Sequence, residues 1–412
     1  MAALKGKAIV AQSGGPTAVI NASACGIIQE AHKHPEISAV YAAHNGILGV
    51  LNEEIFDLSR ENPQDIEALR SAPAAALGSC RYKVRNEEDL EKILRVFQKY
   101  DIRYFFYIGG NDSMDTADKV NKLAAERGYD FIALGVPKTI DNDLAYTDHC
   151  PGYGSVIKYL STMVMEAGRD TESLYTSDTV NVIEAMGRNA GWIAAGTALA
   201  RRDEEDAPHI ILLPERPFTK EEFKDRVRYY LDRIKRCVVV VSEGVKSPDG
   251  RYLAEQGGKF GTDDFGHRQL GGAAEYIKSI IEQEVQVKSR FAIPSTIQRT
   301  GAHFASRTDS EEAYLVGQRA VQLALEGVNG KMVSLQRTEN GPYRCQTGTV
   351  DLAMVANGEK YFPDEWISPE GYFVTDEFLR YARPLIQGEV KPRIQDGLPN
   401  YVRLKKHFIT AN

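Results

Sequence analysis

Residues 137–143 read Pro-Lys-Thr-Ile-Asp-Asn-Asp, directly after an apolar run, 131–136, that is short enough to be a buried strand. A strand that ends in proline and then offers a lysine, two carboxylates and an amide has the content of a site. In open α/β sheets, ligands lie beyond the carboxyl ends of the strands. Lys138 suits an anion, one carboxylate can take a proton, and the other can hold a metal or orient its neighbour. Asp-Asn-Asp is also ordinary turn chemistry, so a plain polar turn is the competing reading of this stretch alone.

The surrounding chain weighs against the plain turn. Residues 7–12 form a short apolar strand that breaks at Ser13-Gly14-Gly15-Pro16, and residues 17–32 read as a helix. That order aims backbone N–H groups and a helix N-terminus at a phosphate. Residues 39–43 are a second strand ending in Asn45-Gly46, and Gly78-Ser79-Cys80-Arg81 is a small-residue loop that carries Arg81. Residues 86–99 are an amphipathic helix. The strand 104–108 runs into Gly109-Gly110-Asn111-Asp112-Ser113 and a further helix. Three strand–turn–helix units within 140 residues predict a parallel sheet whose carboxyl edge gathers glycine loops, an arginine, a lysine and carboxylates. That combination belongs to phosphate chemistry.

The second half repeats the logic without repeating the sequence. The strand 180–185 ends in Met186-Gly187-Arg188-Asn189, where an arginine beside a glycine suits an anion. Residues 237–241 are a nearly pure β-branched strand that ends in Ser242-Glu243-Gly244, and an acid at a strand terminus can bond sugar hydroxyls. A glycine-rich stretch, 263–272, introduces a helix, and another strand precedes Ile297-Gln298-Arg299. Residues 309–325 are a helix, 331–335 a strand and 352–356 an apolar helix, followed by a polar tail. The fold class is therefore α/β, with two Rossmann-like three-layer lobes of mainly parallel sheet and the active site in the cleft between them. The expected lobes are 1–150, joined by part of 260–300, and 151–330, with exchanged segments. Residues 331–412 form a C-terminal extension that packs on both.

Composition sets outer limits. The 412 residues are 43% hydrophobic and 26% charged, as in an ordinary globular protein. A net charge of −7 argues against general nucleic-acid binding. The five cysteines are scattered without Cys-x-x-Cys spacing, which points to a reducing compartment rather than a zinc ribbon or disulfide framework. No apolar run of about 18 residues suggests a membrane span, and residues 1–7 carry no signal peptide. A cytoplasmic protein is expected.

Taken in order, Ser13-Gly14-Gly15, Gly109–Ser113, 137–143, Met186-Gly187-Arg188, Ser242-Glu243-Gly244, 265–272 and Ile297-Gln298-Arg299 resemble the phosphofructokinase family. They resemble its pyrophosphate-dependent branch more closely, as does the ending Tyr381-Ala382-Arg383-Pro384-Leu385-Ile386. ATP-using members typically carry glycine at the positions of Asp112 and Lys138, whereas the pyrophosphate-dependent branch carries Asp and Lys. A carboxylate at Asp112 would repel and obstruct an α-phosphate, and Lys138 would neutralise charge on pyrophosphate and its leaving group.

The resemblance implies phosphoryl transfer from pyrophosphate to the 1-hydroxyl of fructose 6-phosphate, with Asp141 as general base. Asp143 would orient it or hold the metal, and Thr139 would touch the sugar phosphate. Met186, Gly187 and Arg188 would bind the acceptor, and Arg188 would also stabilise the transferring phosphoryl. Glu243 would hold sugar hydroxyls, Thr296 would contact the acceptor, and Arg299 and Arg290 would grip the 6-phosphate. Gly14, Arg81 and Lys138 would contact pyrophosphate. Mg²⁺ would bridge donor oxygens, held in part by Asn111 and Asp143. The reaction would run reversibly in glycolysis and gluconeogenesis, in a homodimer or homotetramer.

Several positions depart from the family pattern. Asn111 stands where Asp is usual, Thr296 where an aromatic residue or His is usual, Ser295 where Gly is usual and Thr179 where Arg is frequent. A larger ketose phosphate such as sedoheptulose 7-phosphate is an alternative acceptor. An ATP-dependent sugar-phosphate kinase is the alternative enzyme, and a catalytically weak sugar-phosphate sensor is the alternative outside catalysis.

Overall fold

The computed structural model describes residues 4–256 and 272–409. The motif 265–272 therefore lies outside the described residues except for Gly272. The strands of the two main sheets are β1 (Gly6–Gln12), β2 (Ile37–Ala43), β3 (Ile55–Asp57), β4 (Ile102–Gly109), β5 (Ile132–Pro137), β6 (Val180–Ala185), β7 (Ile210–Leu212), β8 (Cys237–Ser242), β9 (Ser289–Ala292), β10 (Lys331–Asn340) and β11 (Tyr343–Asp351). The first sheet runs β11-β10-β5-β4-β1-β2-β3 and the second β7-β8-β6-β9. The second sheet is parallel throughout, and in the first only the edge strands β3 and β11 are antiparallel to their neighbours. This is the two-sheet α/β architecture that the strand–turn–helix pattern predicts.

Strands buried on both faces must be apolar on both, and β1 shows it, with Ala8, Ile9, Val10 and Ala11 wholly buried. Ala8 and Val10 pack on one side with the helices Ile20–Ala31 and Arg307–Leu325. Ile9 and Ala11 pack on the other with Glu87–Lys99 and Asn111–Glu126. The helix Arg307–Leu325 thus covers the first sheet although it follows the whole second sheet in sequence. It reaches Ile20–Ala31 at close range because Gly26 and Gly317 lie where a Cβ would collide with the carbonyl oxygens of Tyr314 and Ser23.

The C-terminal region also joins the first sheet. The strand expected at 331–335 continues to Asn340 as β10, turns, and returns as β11 at the sheet edge. The sequence hides β11 because no residue of it is fully buried. A half-solvated edge strand has no apolar run to announce it.

A buried ion network ties this hairpin down. His149 lies 2.8 Å from Asp148 on one ring nitrogen and 2.7 Å from Glu312 on the other. Glu312 also accepts from the Tyr343 hydroxyl at 2.6 Å, and Arg337 pairs with Asp148 at 3.1 Å. Burial opposes protonation of His149, but Glu312 and Asp148 outweigh it and hold the ring up at about 9. A folded-state value above the unfolded one, near 6.5, stabilises fully below that pH and is lost as pH rises through about 9. The contribution is on the order of 3 kcal/mol. The thermal unfolding midpoint is expected to fall between pH 7 and 10, and His149→Gln, less stable at pH 7, should lack that part of the decline. Parallel declines in both proteins would show that His149 does not carry the charge.

Candidate active site

The carboxyl ends of β1, β4 and β5 face those of β6 and β8 across a cleft of about 430 Å³, within the range of roughly 300–1,000 Å³ usual for small-ligand sites. β1 delivers Gly14 and Gly15, β4 delivers Gly110, Asn111 and Asp112, and β5 delivers Lys138, Thr139, Asp141 and Asp143. From the other lobe come Met186, Arg188, Asn189, Glu243 and Arg299. Arg81 enters from the loop before the helix Glu87–Lys99, and residues 356–359 close the lining.

Local hydrogen bonding fixes these loops. Gly14 donates to the Cys80 carbonyl at 2.9 Å and its own carbonyl accepts from Ser79 Oγ at 2.6 Å, which holds the glycine turn beside Arg81. Gly14 has φ 75°, so glycine is required there. The turn comes close to the basic side chains. A Cβ on Gly14 would lie 3.0 Å from Lys138 Nζ, and one on Gly15 would lie 3.1 Å from an Arg299 nitrogen. Lys138 N–H bonds the Gly109 carbonyl at 3.1 Å, and the Asp141 N–H bonds Thr139 Oγ1 at 3.0 Å. In the second lobe Gln298 Oε1 accepts from Met186 N–H at 3.0 Å and Glu243 Oε1 accepts from Gly187 N–H at 3.3 Å.

Asn142 lies between the two aspartates with φ 55° and is wholly buried. Its Oδ1 accepts from Cys150 N–H at 3.0 Å and its Nδ2 donates to the Tyr381 hydroxyl at 3.0 Å. A short amide side chain tolerates this left-handed conformation better than most residues.

The cleft combines enclosed charges of both signs. Burial pushes Lys138 down to about 8, with Arg299 and Arg81 adding to the effect and Asp141 and Asp143 opposing it. Burial pushes Asp143 up to about 7, helped by the charge of Asp141. Glu243 rises to about 7 for the same two reasons. Burial also raises Asp141, against the pull of Lys138 and Arg188. Arg188 Nε and Arg299 Nε are buried without a hydrogen-bond partner among the described residues. Unpaired guanidinium donors beside a lysine suit a phosphate.

The placement of the residues singled out in sequence divides cleanly. Gly14, Arg81, Asn111, Asp112, Lys138, Thr139, Asp141, Asp143, Met186, Arg188, Glu243 and Arg299 all line the one cleft. Gly187 stands behind it, holding Glu243 through its N–H. Arg290 and Thr296 do not line it. Arg290 is 62% exposed and bonds Asp178, while Thr296 is exposed at the start of a short helix. Ser295, where glycine is usual, takes φ 47°, a strained value for a residue with a Cβ.

Other participants carried no sequence signal. Lys83 pairs with Asp112 at 2.8 Å, which limits the repulsion that a bare carboxylate would exert on any anionic donor. Glu359 accepts from Asn189 at 2.6 Å. Asn111 donates its amide to the carbonyls of Val355 and Gly358, a bond no carboxylate can make. Its amide oxygen remains as an acceptor. Asp112, Asp141 and Asp143 line the same cleft, but their carboxylate oxygens do not converge on one point, so a hard divalent cation, which takes oxygen ligands, would draw part of its set from the bound donor.

Comparison with known proteins identifies the family. A family model described as Phosphofructokinase matches residues 7–324. The chain is 47% identical over 408 residues to a pyrophosphate–fructose 6-phosphate 1-phosphotransferase of Halomonas elongata, covering 98% of this chain and 97% of that one. It is 46% identical over 403 residues to a protein of the same name from Methylococcus capsulatus, covering 96% and 95%. A crystal structure of a pyrophosphate-dependent phosphofructokinase from Marinobacter aquaeolei superposes with a TM-score of 0.90 at 44% identity, covering 98% of this chain and 97% of that one.

Proposed function

The chain belongs to the phosphofructokinase family, and from that premise we propose that it transfers a phosphoryl group from pyrophosphate to the 1-hydroxyl of D-fructose 6-phosphate. The products are fructose 1,6-bisphosphate and phosphate. One P–O–P bond is exchanged for one sugar phosphate ester, and the reaction runs in both directions. The observation that carries the donor assignment is Asp112 at the cleft wall with Lys138 inside it. Where an adenosine polyphosphate would need room, the cleft presents the Asp112 carboxylate, fixed in place by Lys83.

Placement in the cleft supports the following residue roles. Gly14, Gly15, Arg81 and Lys138 hold pyrophosphate, with Lys138 neutralising the phosphate that leaves. Asp141 takes the proton of the attacking hydroxyl. Arg188 neutralises the transferring phosphoryl, and Met186, Thr139 and Glu243 orient the sugar. Arg299 takes its 6-phosphate. Mg²⁺, held through Asp112, Asp143 and the Asn111 amide oxygen, would screen the donor oxygens.

We further infer that the protein works in the cytoplasm as a homodimer or homotetramer. Among the described residues no helix is long and apolar enough to cross a membrane. The edge strand β9 and the turn after it expose Phe291, Ile293 and Ile297, an apolar face suited to a second copy.

The test is a donor exchange. Fructose 1,6-bisphosphate should form from fructose 6-phosphate with pyrophosphate and not with ATP. EDTA should stop the reaction, and added Mg²⁺ should restore it. Turnover with ATP in preference to pyrophosphate would overturn the donor assignment, and activity in EDTA the metal.

A further inference from the structure

Residues 355–362 run past the cleft and bond to three of the loops that build it. Asn111 reaches Val355 and Gly358, and Asn189 reaches Glu359. The N–H of Lys360 bonds the Asp143 carbonyl at 2.8 Å, and the Lys360 carbonyl accepts from Trp192 Nε1 at 3.0 Å. The Lys360 ammonium donates to Asn142 Oδ1 at 3.3 Å, to the Thr147 carbonyl at 3.1 Å and to the Asp148 carbonyl at 2.9 Å. It also stands 5.1 Å from the centre of the Trp192 ring.

Lys360 does not line the cleft, so it touches neither substrate. Its ammonium is enclosed, and its three donors match three oxygens. Enclosing a charge is costly, and an apolar side chain often stabilises a fold equally well. The charge is accounted for by what it holds. Asn142, left-handed and flanked by Asp141 and Asp143, is gripped by the ammonium through its side chain, while the Asp143 carbonyl is held separately by the backbone N–H of Lys360. The same residue reaches the acceptor lobe through Trp192, four positions beyond Arg188.

We propose that Lys360 is a positioning residue for phosphoryl transfer, which sets Asp141 and Asp143 through Asn142 and joins them to the Arg188 loop through Trp192. This rests on the phosphotransferase reading of the cleft. A displacement of about 1 Å in a reacting group costs about 100-fold in rate, and that is the effect expected here.

The experiment compares the full-length parent with Lys360→Met, Asn142→Ala and the double variant, using pyrophosphate, fructose 6-phosphate and Mg²⁺. Lys360→Met should lose about 100-fold in kcat per folded molecule while both KM values stay within about threefold. Asn142→Ala should lose a similar factor, and the double variant should be no slower than the slower single one, because both act through one contact. Lys360→Gln, which still donates two hydrogen bonds, should recover part of the rate, and it carries the comparison if Lys360→Met does not fold. Parental kcat in folded Lys360→Met, a loss expressed in KM, or multiplying losses in the double variant would each overturn the proposal. An inactive parent would overturn the phosphotransferase reading itself, and the role of Lys360 with it.

Discussion

Asp141→Asn is expected to lower kcat by about 10²–10⁴-fold and to leave the KM for both substrates little changed. The argument begins with position. The backbone N–H of Asp141 is held by Thr139 Oγ1, and its carboxyl faces Lys138, Arg188, Arg81 and Arg299 in one enclosed cleft. Burial raises its proton affinity above that of an ordinary aspartate. A base moved toward the working pH accepts a proton more effectively from a hydroxyl. Asparagine keeps the shape and the hydrogen bonds but cannot accept that proton. Ground-state binding rests on the cations and is expected to survive. Steady-state kinetics in both directions give the answer. If raised Mg²⁺ restores Asp141→Asn, the carboxylate serves the metal and not the proton.

Lys138→Met is the second large effect, about 10²–10³-fold in kcat, the loss typical of removing one preorganised donor from a developing charge. Lys138 is almost wholly enclosed, and burial lowers its proton affinity to about 8, so at neutral pH it remains a cation in surroundings that screen it poorly. A charge placed there favours the negative charge that builds on the bridging oxygen as the P–O bond breaks, more than it favours the ground-state pyrophosphate, and that is the differential binding that raises kcat. Lys138→Arg is expected to recover little, because a planar guanidinium does not fit an enclosed point-charge site. A rise in the KM for pyrophosphate with kcat intact would instead make Lys138 a ground-state anchor.

Much of this cleft can be read in the chain because the first lobe punctuates itself. β4 and β5 end at Gly109 and Pro137 and β1 runs into Gly14-Gly15 two residues after its end, and each is followed by polar residues suited to a ligand. The β-branched run in β8 and the Met186-Gly187-Arg188 turn are equally plain. What escapes sequence reading depends on partners far along the chain. Lys83 and Lys360 are lysines in polar stretches, and nothing local distinguishes one that pairs with Asp112 from one that is buried under Asn142. Asn111 reads as a weakened metal ligand until its amide is seen bonding two carbonyls more than 240 residues away. Arg290 reads as a phosphate clamp from its spacing, yet in a single chain it points to Asp178.

The first sheet is built from both ends of the chain, with β10 paired to β5 and the helix Arg307–Leu325 laid over β1. A ribosome delivers these pieces far apart in time. The roughly 190 residues between Pro137 and Leu325 take about 10–40 s to synthesise, and through that interval β5 is an uncovered sheet edge on a nascent chain. Lys138, Asp141 and Asp143 emerge early, but the segment that holds them in place is among the last to leave the exit tunnel. A prematurely terminated product ending before residue 355 would carry the motifs of the cleft without the contacts that residues 355–362 make to Asn111, Asn142 and Asn189.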